Sequence, residues 1–117
     1  MPKYKTAEIP IYQDWDRSKP LAKVQAELFG PFLAVHEAIW CADHQYKPLA
    51  RWNVCHRPTG ATVCRDVLKG QARRIARALQ NDPLWDFDTQ EKFRKIRDQL
   101  KPKVKEVLVS VLAVDHA

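Results

Sequence analysis

Hydrophobic and polar positions change period along the chain, and the changes mark its elements. In "AEIPIYQ" (7–13) Ile9 and Ile11 share one face at a spacing of two, the signature of a short strand. Pro10 confines that strand to an edge or makes it merely extended. In "RSKPLAKVQAELFG" (17–30) Leu21, Val24 and Leu28 follow a helical spacing. Ser18 is a fair N-cap there, Pro20 suits a first turn, and Gly30 can end the helix. "PFLAVHEAIWCA" (31–42) reads two ways. As a strand it puts Leu33, Val35, Ile39 and Cys41 on one face, with Glu37 between them. As a helix it has Pro31 in the first turn and Ala34, Ala38 and Ala42 on one stripe. The strand is favoured, because a lone hairpin is marginal and needs a third strand. "DHQYKPL" (43–49) then forms a loop.

"RWNVCHRPTGATVCR" (51–65) is the clearest local pattern. Arg57-Pro58-Thr59-Gly60 fits a type I turn, with Pro at its second position and Gly at its fourth. Gly60 in the left-handed region makes a hairpin loop closed by a G1 bulge. Trp52 and Val54 before the turn, and Thr62 and Val63 after it, suit strands. The implied three-residue loop pairs Arg57 with Ala61, His56 with Thr62, Cys55 with Val63 and Val54 with Cys64.

Beyond the hairpin the period becomes helical. "KGQARRIARALQN" (69–81) carries an apolar stripe of Ala72, Ile75, Ala76 and Leu79. "DPLWDFD" is a loop whose Trp85 and Phe87 act as lids on the core. Asp88 with Glu91 forms an N-terminal capping pair, and Phe93, Ile96 and Leu100 carry a helix forward to Pro102, which ends or kinks it. In "KPKVKEVLVSVLAV" Val104, Val107, Leu108, Val111 and Leu112 keep helical register. The segment is β-branched enough to be a strand, and helix is favoured. The expected fold is α+β: a small antiparallel sheet of about three strands around the 51–66 hairpin, packed by three to four helices in a single domain over residues 1–117.

Composition narrows the class. A chain of 117 residues with 45% hydrophobic residues can bury one core without staples. Three cysteines imply no closed disulfide framework. "MPKYKTAEIP" has no apolar signal-peptide core. The longest aliphatic run, "VLVSVLAV", falls well short of the roughly 20 residues a bilayer span needs. The expectation is a soluble protein of a reducing cytoplasm.

Charge is uneven. Residues 1–40 carry five Lys/Arg and five Asp/Glu, and residues 81–117 seven of each. Residues 41–80 carry eight basic and two acidic side chains, so the whole net charge of +6 lies there. Such a patch is the footprint of a polyanionic or acidic partner, or else a solvated face that keeps a protein soluble. The candidate contact residues are Arg51, Arg57 and Arg65 on the hairpin and Lys69, Arg73, Arg74 and Arg77 on the following helix. Several donors on a rigid platform suit phosphates. The same arginines, near Trp40 and Tyr46, would also suit an acidic protein surface.

The alternatives are chemical. Cys41, His44, Cys55, His56 and Cys64 are the only candidate metal ligands of zinc type in this region. Strand alternation sends Cys55 and His56 to opposite faces, and the register separates Cys55 from Cys64. A zinc site would therefore need Cys41, His44 and either Cys55 or the pair His56 and Cys64. A catalytic thiol meets the same obstacle, since its base must lie within hydrogen-bond reach. Other imidazoles stand at His36, His44 and His116, with nothing tying them to a thiol. Asp14 with Asp16, and Asp86 with Asp88, read as turn and cap residues. No phosphate loop, nucleophile elbow or HExxH is present, and no cofactor is expected.

"WNVCHRPTG" followed by an Ala/Arg helix resembles a hairpin–helix element of short phage and plasmid proteins. The resemblance covers only the hairpin and that helix. It implies an accessory protein of a mobile element that binds nucleic acid, or that binds and blocks a host complex such as a defence system. It carries over no catalytic residue. The sequence thus points to a non-enzymatic binding protein that meets nucleic acid or a nucleoprotein. An inhibitor or adaptor directed at a host protein is the second reading, and a zinc or thiol enzyme the third.

Overall fold

The computed structural model describes residues 4–13, 16–42 and 45–116. Five strands come first: β1 (Thr6–Gln13), β2 (Asp16–Phe29), β3 (Leu33–Ala42), β4 (Gln45–His56) and β5 (Thr62–Val67). They form one antiparallel sheet in the order β1-β2-β3-β4-β5, each strand pairing with its neighbours in sequence. Helix α1 (Lys69–Leu79), a 3₁₀ turn (Pro83–Trp85) and helix α2 (Gln90–His116) follow. The α+β class is as expected. The sheet has five strands rather than about three, and two α-helices rather than three to four.

The largest departure is residues 17–30, expected as a helix and found as most of β2. Its apolar positions satisfy both periods. Val24, Ala26 and Leu28 alternate as well as they wind, and Ala26 is buried. Pairing decides between them. Ile9 faces Val24 and Ala7 faces Ala26 on one side, while Leu28 faces Ala34 and Phe29 faces Leu33 on the other. Among the described residues β3 pairs with β2 over Ala26–Phe29. Pro20 sits opposite Tyr12 of β1 beside a register shift, the kind of irregularity at which a sheet tolerates proline. Pro10 lies in the edge strand β1, as expected. Gly30 ends no helix. It takes φ 64° in the turn from β2 to β3.

β3 confirms the strand reading of residues 31–42. Residues 45–49 of the expected loop belong to β4, and 43–44 lie outside the described residues. α1 buries Ala72, Ile75, Ala76 and Leu79, the stripe read from its spacing. Gln71 caps its start by accepting the Leu68 N–H at 2.9 Å. At the start of α2 the cap is Thr89 rather than Asp88: the Thr89 hydroxyl oxygen accepts the Lys92 N–H at 3.1 Å, and Asp88 pairs instead with the Lys92 ammonium.

α2 runs through Pro102 without ending. A proline inside a helix removes one backbone bond and crowds the preceding turn, at a cost of about 3 kcal/mol. Packing on both sides offsets it. Leu100 is buried, and Val104, Val107, Leu108 and Val111 rest against the same core. Pro102 itself is exposed.

The main core lies between the sheet and the helices. Phe29, Leu33, Val35, Val54, Cys64 and Val67 of the sheet meet Ile75 and Leu79 of α1, with Trp85, Phe87 and Leu100. Trp85 and Phe87 are core members rather than lids. The opposite sheet face has a smaller buried cluster of Ala26, Ala34 and Cys55. Among the described residues no helix is long and apolar enough to cross a membrane.

The β4–β5 turn keeps its glycine but is one residue wider than expected. Gly60 adopts φ 73° and donates its N–H to the His56 carbonyl, while the His56 N–H goes to the Ala61 carbonyl. His56 thus pairs with Ala61, and Cys55 with Thr62 rather than Val63. A bulge then restores the expected Val54–Cys64 pair. The Thr59 hydroxyl drives the change, because it engages both the His56 ring and the Ala61 N–H. An L-residue in the left-handed region costs about 1–2 kcal/mol. Gly60→Ala is accordingly expected to lower stability by about that much in urea denaturation.

Candidate nucleic-acid interface and the adjoining groove

The seven cations read from the sequence fall into distinct settings. Arg51, Arg57 and Arg65 are exposed on the β4–β5 hairpin, and β5 is an edge strand. Cys64, Val67 and Val54 point to the helix-side core, so alternation places Arg65 on the far face of the sheet. Trp52 packs against that core, which sends Arg51 to the far face too. Arg57 sits in the turn, where its N–H donates to the Phe32 carbonyl at 2.7 Å.

The α1 cations lie on the helix side. Lys69 is exposed, with its ammonium 4.7 Å from the centre of the Trp52 ring. Trp52 thus carries a cation while packing on the core. Arg74 is exposed, and Arg77 donates to the Tyr4 hydroxyl at 2.8 Å. Arg73 differs from the rest. Its Nε–H and Nη2–H donate to the two carboxylate oxygens of Glu27 at 2.7 and 2.6 Å, and the guanidinium lies over the Tyr4 ring. The Arg73 hydrogen bonds hold the Glu27 carboxyl below its ordinary pKa. Arg73 therefore fastens α1 to β2, and its fork is taken. Of the rest, Arg51, Arg57, Arg65 and Lys69 lie around the β4–β5 edge, while Arg77, bonded to Tyr4, lies toward β1 and β2 at the other side of the sheet.

His56, met in the sequence as half of a Cys–His pair, is a structural residue. It is 1% exposed. Its Nε2 lies 2.7 Å from the Trp85 carbonyl, which can only accept, so Nε2 carries the proton. Nδ1 then accepts from the Thr59 hydroxyl at 2.8 Å. The ring stacks on Phe87 with centroids 4.0 Å apart. Burial pushes its pKa down and keeps the imidazole neutral. This arrangement clamps the hairpin turn to the segment between α1 and α2.

The cysteines are equally quiet. Cys55 and Cys64 are free, buried, and on opposite faces of the sheet. Burial raises the Cys55 thiol to about 12, so it stays protonated at neutral pH. Burial also raises Cys64. His36 is buried, donates Nδ1–H to the Glu37 carbonyl, and has its pKa lowered by burial. His44 lies outside the described residues, as do Asp14 and the side chains of Cys41, Asp16, Trp40, Tyr46 and His116. Among the described residues no three His, Cys, Asp or Glu side chains gather as a metal site.

One feature was missed in the sequence. A groove of about 340 Å³ runs between the hairpin turn and α2, over His56, Trp85 and Phe87. Arg97, Lys101 and Lys105 stand along it at four-residue spacing, all exposed. Residues 92–105 hold seven Lys/Arg against Asp98 alone. Summing charge over 81–117 hid that run, because Asp82, Asp86, Asp88 and Glu91 before it and Glu106 and Asp115 after it cancel it. A shorter window would have found it.

No protein-family model, curated protein or solved structure matches this chain.

Proposed function

We propose that this is a non-enzymatic binding protein that contacts nucleic acid or a nucleoprotein complex through the cations around the β5 edge. The observation that supports this reading is the placing of Arg51, Arg57 and Arg65 on an exposed edge hairpin. None of the three has an acidic partner among the described residues. Lys69 of α1 stands beside them, its ammonium over the Trp52 ring of β4. An edge strand is thin, so cations on both of its flanks reach one approaching polyanion. Phosphate contacts of this kind set affinity and register without reading bases.

The test is binding of single-stranded and duplex oligonucleotides between about 50 and 200 mM salt. Binding at low salt is expected, with a log–log salt slope that shrinks by about 0.7–0.9 for each phosphate contact removed by Arg51→Ala, Arg57→Ala or Arg65→Ala. No binding at low salt, or an unchanged slope in the triple variant, overturns the reading. Arg73 is left out of the set because its loss would loosen α1.

A second reading is an inhibitor or adaptor that binds and blocks a protein complex, as the resemblance to phage and plasmid proteins implies. The apolar groove beside α2 favours it, since a purely phosphate-directed surface has no use for one.

A further inference from the structure

We propose that the groove between the β4–β5 turn and α2 is a docking site for an acidic, amphipathic segment of a protein partner. The inference rests on the second reading above and is independent of the β5-edge cations. Val63 of the hairpin forms one wall, and Phe93, Val104 and Leu108 of α2 form the other. All four are only partly buried, so each has apolar surface left to cover. Leu112 continues the α2 side one turn beyond Leu108 and is also partly buried. A volume of about 340 Å³ accommodates a few large apolar side chains.

Charge selects the partner. Arg97, Lys101 and Lys105 recur once per turn along the groove, spanning about 12 Å at 1.5 Å per residue. None has an acidic partner among the described residues, whereas Lys92 and Lys103 of the same helix pair with Asp88 and Asp82. A row of cations spaced along an apolar trough matches a row of carboxylates beside a row of apolar side chains. That is the pattern of an amphipathic helix laid in a groove. A single anionic head group would meet only one end of it. Nucleic acid fits less well. Trp85 and Phe87 are only 3% and 5% exposed, so neither offers a ring face for base stacking. The aliphatic walls would remain wet against a sugar–phosphate backbone.

The probe is a synthetic helical peptide with Leu or Phe on one stripe and Glu at four-residue spacing beside it. Its counterpart has every Glu replaced by Lys. Binding is read by fluorescence anisotropy and by methyl chemical shifts of Val63, Val104 and Leu108. The acidic peptide is expected to bind the native protein and shift those methyls, and the Lys peptide to do neither. Lys101→Glu with Lys105→Glu is expected to weaken the acidic peptide at least tenfold and to admit the Lys peptide. Both positions are exposed, and an unchanged thermal midpoint certifies the fold of the variant. The proposal is overturned if the acidic peptide fails to bind at millimolar concentration, or if both peptides bind alike. It is also overturned if the charge reversal weakens an oligonucleotide and leaves the acidic peptide unaffected, because the α2 cations would then belong to a polyanion surface. The β5-edge reading is judged separately by the Arg51, Arg57 and Arg65 variants, so either idea can fail alone.

Discussion

Replacing His56 with alanine is expected to lower the folding free energy by about 3–4 kcal/mol, close to the cost of truncating a buried aromatic ring. The ring is essentially buried and sits face to face with Phe87. Its removal opens a cavity beneath the groove and leaves the Trp85 carbonyl without its 2.7 Å donor. An unsatisfied buried acceptor adds about 1–3 kcal/mol, and partial collapse of the cavity offsets part of the sum. Urea denaturation measures the loss. His56→Phe separates the contributions, since it keeps the stacking volume and loses only the hydrogen bonds. An intermediate destabilisation is expected there.

The same residue makes stability depend on pH. Burial holds the folded imidazole below its ordinary value of 6.5. Between the folded and unfolded pKa the unfolded chain binds more protons, so stability rises with pH. The contribution is complete above about 6.5 and is lost as pH falls from there toward the folded pKa. His36 is shifted in the same direction for the same reason, so the His56 variants retain its share of the acid sensitivity. The stability gap between the native protein and His56→Phe is expected to narrow on acidification from pH 7.5 to 5.5. A gap that stays constant would mean that His56 is not held neutral by the fold.

The second large effect is at the Glu27–Arg73 pair. Glu27→Ala and Arg73→Ala are each expected to cost about 2 kcal/mol, above the 0–1 kcal/mol of an exposed pair and below the 3–5 kcal/mol of breaking a fully buried one. The two side chains keep only 15% and 29% of their exposure, which sets that intermediate position. The double variant is expected to lose little more than either single one, and the cycle gives the coupling. Arg73→Lys should recover little, because an ammonium cannot make the paired bonds of the guanidinium. The Glu27 carboxyl is held below its ordinary 4.5, so the pair stabilises fully above that value and is lost as pH falls through the folded pKa. Arg65→Ala serves as the contrast on the sheet. Arg65 is exposed and has no acidic partner among the described residues, so its removal is expected to change stability far less.

Helical spacing misleads in residues 17–30 for a definable reason. Leu21, Val24 and Leu28 satisfy a helix, and Val24, Ala26 and Leu28 satisfy a strand. Local preference alone does not choose between them. The choice is made by β1 on one side and β3 on the other, whose backbone groups need β2 as a partner. The hairpin is the reverse case. Pro58-Thr59-Gly60 announces a turn by itself, because Gly60 accepts a left-handed φ and Pro58 has its own φ preset. What it does not announce is the width of the loop. That depends on Thr59 reaching the His56 ring, which is held in turn by Trp85, a partner 29 residues further on.

The site divides along the same line. Strand alternation was enough to part Cys55 from His56, and the hairpin register to part Cys55 from Cys64. The cationic side chains are alike in sequence. Only the fold commits Arg73 to Glu27, sets Lys69 over Trp52, and leaves Arg51, Arg57 and Arg65 around an edge. The α2 cations were legible as a spacing but had no meaning until the hairpin turn supplied the facing wall of a groove. By itself the sequence determined what short-range physics governs: the glycine turn, the buried stripe of α1, the edge placement of Pro10 and the sign of the charge. The tertiary structure decided which strands pair, which histidine is clamped and which cations remain available, because each of those depends on a partner distant in the chain.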